Sequence, residues 1–132
     1  MATVTPSLSI VSSDLLSDTL SMTVTSAITA ANTTGLARRP VTSTAKGTAA
    51  GQVTVYTASD FSAPAYLYVK NTDSTASNYI YVYADTAADD PVILKLAGGD
   101  FAFMPIDASV TLSSYSTAGT EVIEYMVIGT DA

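Results

Sequence analysis

Between Ala65 and Ala84 polar and apolar positions alternate. Leu67 and Val69 fall on one face of an extended segment, and Tyr66, Tyr68 and Lys70 on the other, because successive β residues point to opposite sides. After a polar stretch the pattern returns, with Ile80 and Val82 on an aliphatic face and Tyr79, Tyr81 and Tyr83 on a tyrosine face. The two runs predict an antiparallel hairpin with an aliphatic side and a tyrosine side. A two-stranded hairpin is marginal in water, so its aliphatic side must lie on a second sheet.

The rest of the chain reads the same way. Val4, Leu8 and Ile10 alternate with Thr5, Ser7 and Ser9, predicting an N-terminal arm or edge strand over 1–13, with Pro6 keeping it out of a sheet interior. The domain proper is expected over 14–132. From Leu16 to Ile28 the even positions Leu16, Leu20, Met22, Val24 and Ile28 are apolar, which is strand periodicity. The rival there is a short helix capped by Asp14, with Leu15, Leu16 and Leu20 as its stripe; the β-branched run Thr23 to Thr25 opposes it beyond the first turn. Leu36 to Thr44 is extended and at an edge, Gly47 to Gly51 a flexible connection, and Val53 to Thr57 a strand. The loop Asn71 to Asn78 is too long for a tight primed turn, so its tip is expected to be exposed and mobile unless something holds it. Val92 to Leu96, the Gly98-Gly99 turn or bulge, Phe101 to Pro105, Val110 to Tyr115 and Glu121 to Ile128 complete the pattern. In the last strand Ile123, Tyr125 and Val127 face one way and Val122, Glu124, Met126 and Ile128 the other. About eight or nine short strands with a turn signal roughly every ten residues predict an all-β fold: a single antiparallel β-sandwich, jelly-roll-like.

Composition narrows the chemistry. At 132 residues the chain is one domain, large enough to bury roughly two-thirds of its unfolded surface without staples. It has no Cys, His or Trp, which removes disulfides, thiolates, the usual general base and the commonest metal ligand. The net charge is −7, with Arg38, Arg39, Lys46, Lys70 and Lys95 as the cations, so a nucleic-acid backbone is not an expected partner. The opening Met-Ala-Thr-Val-Thr-Pro has neither a basic region nor a continuous apolar core, so no secretion signal is expected, and no apolar run approaches a membrane span. Charged residues make up 13%, about half the average. A surface of hydroxyls and methyls suits a protein packed against neighbours, and a compositional bias of the source explains it equally.

Asp85, Asp89 and Asp90 crowd one loop, but without the alternating ligands and glycine of an EF-hand loop they read as solvated turn acids rather than a Ca²⁺ site. Gly98-Gly99-Asp100 opens no helix and carries no Lys-Ser/Thr pair, so it is a β turn. Glu124 and Asp107 are acids of the kind a glycosidase pairs across a cleft, yet nothing in their spacing selects them. No catalytic, cofactor or metal residue is expected. The tyrosines are the stronger candidates. Tyr79, Tyr81 and Tyr83 at period two would need three buried hydroxyl partners if fully covered, so a half-exposed face meeting another subunit is expected, joined by Tyr66 and Tyr68. Arg38-Arg39, a positive cluster on an acidic chain, suits a rim contact to an acidic neighbour, or a solvated loop.

A Cys-free, Ser/Thr/Ala-rich β chain with Leu96-Ala-Gly-Gly-Asp-Phe-Ala-Phe-Met-Pro105 and a closing Glu121-Val-Ile-Glu-Tyr-Met-Val-Ile128 resembles the small virion accessory proteins of tailed bacteriophages, most of all capsid decoration, or cement, proteins. The likeness covers chiefly the last forty residues and the composition. It implies a β-sandwich, often a homotrimer, made in the host cytoplasm and bound to the outside of a shell of a different major capsid protein. It carries over no catalytic or binding residue. The alternative from another class is a glycan-binding or tail- or fibre-associated module that recognises a host surface through its tyrosines.

Overall fold

The computed structural model describes residues 2–15, 17–30, 32–47, 49–85 and 90–131. Two sheets carry the fold, and every strand pairing is antiparallel. The four-stranded sheet contains β7 (Val53–Tyr56), β9 (Ile80–Ala84), β10 (Val92–Leu96) and β12 (Leu112–Ser116) in the order β10-β9-β12-β7. The other contains β5 (Asn32–Thr33), β6 (Ala37–Val41), β8 (Phe61–Asn71), β11 (Phe101–Ile106) and β13 (Glu121–Asp131). It runs β11-β8-β13-β5, with β6 also paired to β13. Between the sheets lies the core: Leu67, Val69, Ile80, Val82, Ile123 and Val127 are all fully buried in it. The chain is therefore an antiparallel β-sandwich.

The central expectation needs one correction. Ala65–Lys70 and Tyr79–Ala84 do not form a hairpin, because β8 and β9 belong to different sheets. The chain arches from one sheet to the other through 71–79, so the aliphatic faces of the two strands meet the same core from opposite sides, and the tyrosine faces end on opposite outer surfaces. Alternation is identical in a hairpin and an arch; what differs is the connection, and this one is held rather than mobile. Fully buried Asn71 donates through Nδ2 to the carbonyls of Asn78 (2.9 Å) and Leu96 (3.1 Å), while its Oδ1 accepts from the Asp73 N–H at 3.1 Å. Asp73 in turn accepts from the Thr75 N–H at 2.7 Å, and these hydrogen bonds keep its carboxyl below the usual carboxylate range. Gly98, in the turn between β10 and β11, passes so close beneath the arch that a Cβ would stand 2.4 Å from the Thr75 carbonyl oxygen. No larger residue fits there without moving backbone.

At the other end of the sandwich the turn between β12 and β13 is built on Glu121, which is fully buried. Its oxygens accept from the backbone N–H groups of Ala118 (3.0 Å) and Thr120 (2.9 Å) and from the Thr117 hydroxyl (3.0 Å). Burial pushes its pKa up, but those donors outweigh it and leave the carboxyl below its ordinary value. A depressed carboxylate stabilises the fold above the unfolded pKa and loses that contribution as pH falls through the folded one. Glu121→Gln turns an amide NH₂ toward a backbone donor and should cost about 1.5 to 3 kcal/mol at pH 7. The gap from the native chain, followed by urea unfolding, should narrow below about pH 4; a gap independent of pH would show that the charge plays no part.

Residues 2–30 form a separate ribbon. Strand β1 (Ala2–Val4) pairs with β4 (Ile28–Ala30), and β2 (Ser7–Ser12) with β3 (Leu20–Thr25). The boundary expected at 13/14 thus falls inside a paired unit, and the strand expected over 16–28 breaks at Ser26 and Ala27. The described residues between β2 and β3 are bends rather than helix, with the Ser12 hydroxyl accepting from the Leu15 N–H at 3.0 Å. Leu16, the start of the expected strand, lies outside the described residues.

Candidate functional site

The outer face of the four-stranded sheet carries a ladder of aromatic rings. Cross-strand register sets Tyr81 of β9 between Lys95 of β10 and Tyr115 of β12. The Tyr81 and Tyr115 rings stack at 4.8 Å, Tyr79 tilts against Tyr81 at 6.4 Å, and Tyr83 meets Tyr115 edge-on at 5.9 Å. The Lys95 ammonium stands 4.1 Å over the Tyr79 ring, a cation–π contact that also shields an edge strand with charge. Tyr79, Tyr81 and Tyr115 are half-buried, and burial pushes the Tyr115 hydroxyl pKa up. Because Tyr81 and Tyr115 turn their faces to each other and Lys95 stands over Tyr79, little ring face is left open to a partner.

Tyr83 departs from the expected half-exposed face: it is 0% exposed. Its hydroxyl is held from both sides, donating to Gln52 Oε1 at 2.7 Å and accepting from the Gly47 N–H at 3.2 Å. The stretch read as a flexible connection is thus anchored to this ring at Gly47 and by the neighbouring Gln52. Lys46 of the same segment donates to the Asp90 carbonyl.

On the opposite sheet, Tyr66 and Tyr68 of β8 face outward with Phe101 and Phe103 of β11 and with Glu124, Met126 and Ile128 of β13. Tyr66 and Phe103 stack almost parallel, 5.9 Å apart at 3°. The Tyr68 hydroxyl donates to Glu124 Oε1 at 2.8 Å, and Arg38 Nε donates to Glu124 Oε2. The Tyr68 hydrogen bond and then the Arg38 guanidinium hold the Glu124 carboxyl below its ordinary range; burial and that same hydrogen bond push the Tyr68 hydroxyl up. Arg38 and Arg39 are not one patch, because neighbouring strand residues point to opposite faces. Arg38 pairs with Glu124 on the outer face, while Arg39 opens onto the seam between β6 and β7, beside Asp60 and Tyr125.

Over this sheet runs the N-terminal ribbon. Its base rests on β13, where Val4 and Ala30 share a groove with Met126 and Ile128. Further out, Leu8, Val24 and Ile28 stand across from Tyr66, Phe101, Phe103 and Pro105, bounding an open apolar groove of about 550 Å³. Sequence reasoning found the strand pattern of the ribbon but not this surface, nor Tyr115 and Lys95 in the ladder. The signal was present at Phe101, Ala102, Phe103 and Met104, where both faces of one edge strand are apolar.

Asp107, Asp85 and Glu124 each make hydrogen bonds that hold neighbouring structure. Asp107 accepts from the Ser109 N–H (2.9 Å) and hydroxyl (2.6 Å), and those bonds hold its carboxyl low. Asp107 follows Ile106, opposite Ala65, whereas Glu124 lies opposite Lys70, so the two residues sit roughly 16 Å apart at the backbone along β8, and each carboxylate is turned to its own hydrogen-bond partners. Asp85 accepts from the Ser113 hydroxyl at 2.9 Å; Asp89 lies outside the described residues. Among the described residues no group of three or more His, Cys, Asp or Glu could hold a metal ion. None of their helices is long and apolar enough to cross a membrane.

Fold and surfaces together define a cysteine-free antiparallel β-sandwich with a two-stranded arm and aromatic outer faces. No family model, no curated protein and no solved structure matches the chain.

Proposed function

We propose that this chain is a structural virion protein that decorates the outside of a phage capsid and stabilises it, bound to the major capsid protein. The observation that carries this reading is the apolar arm surface: Leu8, Ile10, Met22 and Val24 share one exposed face on a domain whose buried side-chain polar atoms, among the described residues, are all satisfied internally. Exposed contiguous apolar surface of this kind marks a chain that works packed in an assembly of subunits. The strand order supports the same reading. Numbering β6 to β13 as 1 to 8, the sheets run 1-8-3-6 and 2-7-4-5, which we read as a jelly roll, an architecture common among capsid proteins. The Tyr81–Tyr115 stack and the Lys95 ammonium over the Tyr79 ring leave few ring faces open, which favours a protein contact over a sugar platform.

A protein that binds only the assembled shell stabilises it by mass action, by about 2.7 kcal/mol per site at a hundredfold excess over Kd. Shells carrying the chain are therefore expected to withstand higher temperature than shells stripped of it, with free capsid subunits binding none. Equal heat resistance of stripped and decorated shells would end the proposal. Glycan-array binding lost on changing Tyr79 and Tyr81 would replace it with host-surface recognition.

A further inference from the structure

The register of the arm pairs Leu8 with Val24, Ile10 with Met22 and Ser12 with Leu20. Residues opposed across antiparallel strands share a face, so Leu8, Ile10, Leu20, Met22 and Val24 stand together, and the hydroxyls of Ser9, Ser21 and Thr23, with Val11 among them, stand behind. This apolar face continues the one that is already docked. Val4 and Ile28 are in phase with Leu8 and Val24, and Ile28 and Ala30 are buried at the base beside β13. The groove over Phe101 and Phe103 takes in Leu8 and Val24 but not the next pair outward, Ile10 and Met22. The same face that seats the arm on its own sandwich thus runs on, uncovered, past the groove.

We infer that the cover is a second copy of this chain, the arm and the Phe101–Phe103 edge of one copy closing on those of the other so that each fills the other's groove. Continuity with the docked base is the first argument. Charge is the second. No charged residue occurs between Ala2 and Ser13 or between Thr19 and Ala30, so the arm gives a charged partner nothing to pair with, yet it lets two chains of net charge −7 approach where they do not repel; Lys70, opposite Phe101, adds a cation rather than an anion beside that edge. Area is the third. Leu8, Ile10, Met22, Val24, Phe101 and Phe103 remain 38% to 62% exposed. They offer on the order of 600 Å² per copy, so two copies bury about 1,200 Å², above the roughly 1,000 Å² that a specific interface needs.

Sedimentation of the full chain at tens of micromolar is expected to give a dimer, since a reciprocal contact closes on two copies. Ile10→Asp with Met22→Asp should weaken the association at least a hundredfold, while Ser9→Asp with Thr23→Asp, on the hydroxyl face, should leave it unchanged. Thermal melting of the sandwich, measured at a dilution where all three proteins are monomeric, should be the same in each, because association itself raises the melting temperature. If the aspartates prevent folding, Ile10→Ser with Met22→Thr keeps the strand and should dissociate the copies equally. A native chain that sediments as a monomer, an oligomer that survives the Ile10/Met22 changes, or equal loss from the hydroxyl face would each overturn the contact; so would unfolding of the Ser/Thr variant, which would make the arm part of the core. The contact and the proposed function fail separately. A monomer that still protects shells from heat removes this contact alone, and an oligomer that binds no shell removes only the function.

Discussion

Replacing Tyr83 by alanine should destabilise the fold by about 3 to 5 kcal/mol, on the scale of large-to-small aromatic losses. The same change at Tyr79, on the same strand face, should cost about 1 kcal/mol, the value of a half-exposed ring with a cation–π partner. The difference comes from what surrounds each ring. Tyr83 is fully buried, and its hydroxyl joins Gln52 and Gly47; removing it leaves a cavity and strands two polar groups. Tyr79 meets solvent on one side and Lys95 on the other. Urea unfolding of the two variants decides the matter: equal losses would mean that Tyr83 is not held by burial and by Gln52 and Gly47.

The second large effect is expected at Asn71. Asn71→Leu keeps the volume but withdraws the amide from the carbonyls of Asn78 and Leu96 and the oxygen from the Asp73 N–H. Two acceptors left unsatisfied at about 1 to 3 kcal/mol each give an expected loss of roughly 2 to 6 kcal/mol. Hydrogen exchange gives a sharper readout than stability alone. Amides of Asp73, Thr75 and Asn78 should lose protection before those of β8 and β9, because the staple ties the arch to the sandwich and not the strands to their sheets. Uniform loss of protection would place Asn71 in the global core instead.

Strand existence and facing were legible in the sequence because burial enforces period two. Leu67 and Val69, Ile80 and Val82, and Ile123, Tyr125 and Val127 all point where the alternation puts them. Partnership was not legible in the same pattern, since β8 and β9 present the same faces to the core whether they pair with each other or arch across it. The length of 71–78 carried the one available hint, excluding a tight turn. Burial of Tyr83 was out of reach because it depends on a segment more than thirty residues away in the chain. The split of Arg38 from Arg39 was available in principle, as strand parity alone separates neighbours once Leu36 to Thr44 is read as extended. The ribbon was half legible: its apolar positions were found, but pairing of β2 with β3 rather than with a sheet rests on the bends between them, whose composition resembles any other loop.

The position of β13 has a kinetic consequence. It lies between β8 on one side and β5 and β6 on the other, yet it comes later in the sequence than every strand it pairs with, so half of the sandwich has no centre until that strand has been synthesised. Partners such as Glu124 and Arg38 are 86 residues apart, and chains dominated by such distant pairings fold in milliseconds to seconds rather than microseconds. Stopped-flow refolding of the full chain from urea should therefore show its main phase on that slower timescale, whereas a microsecond phase would mean that the sheet forms from local pairings before β13 joins it.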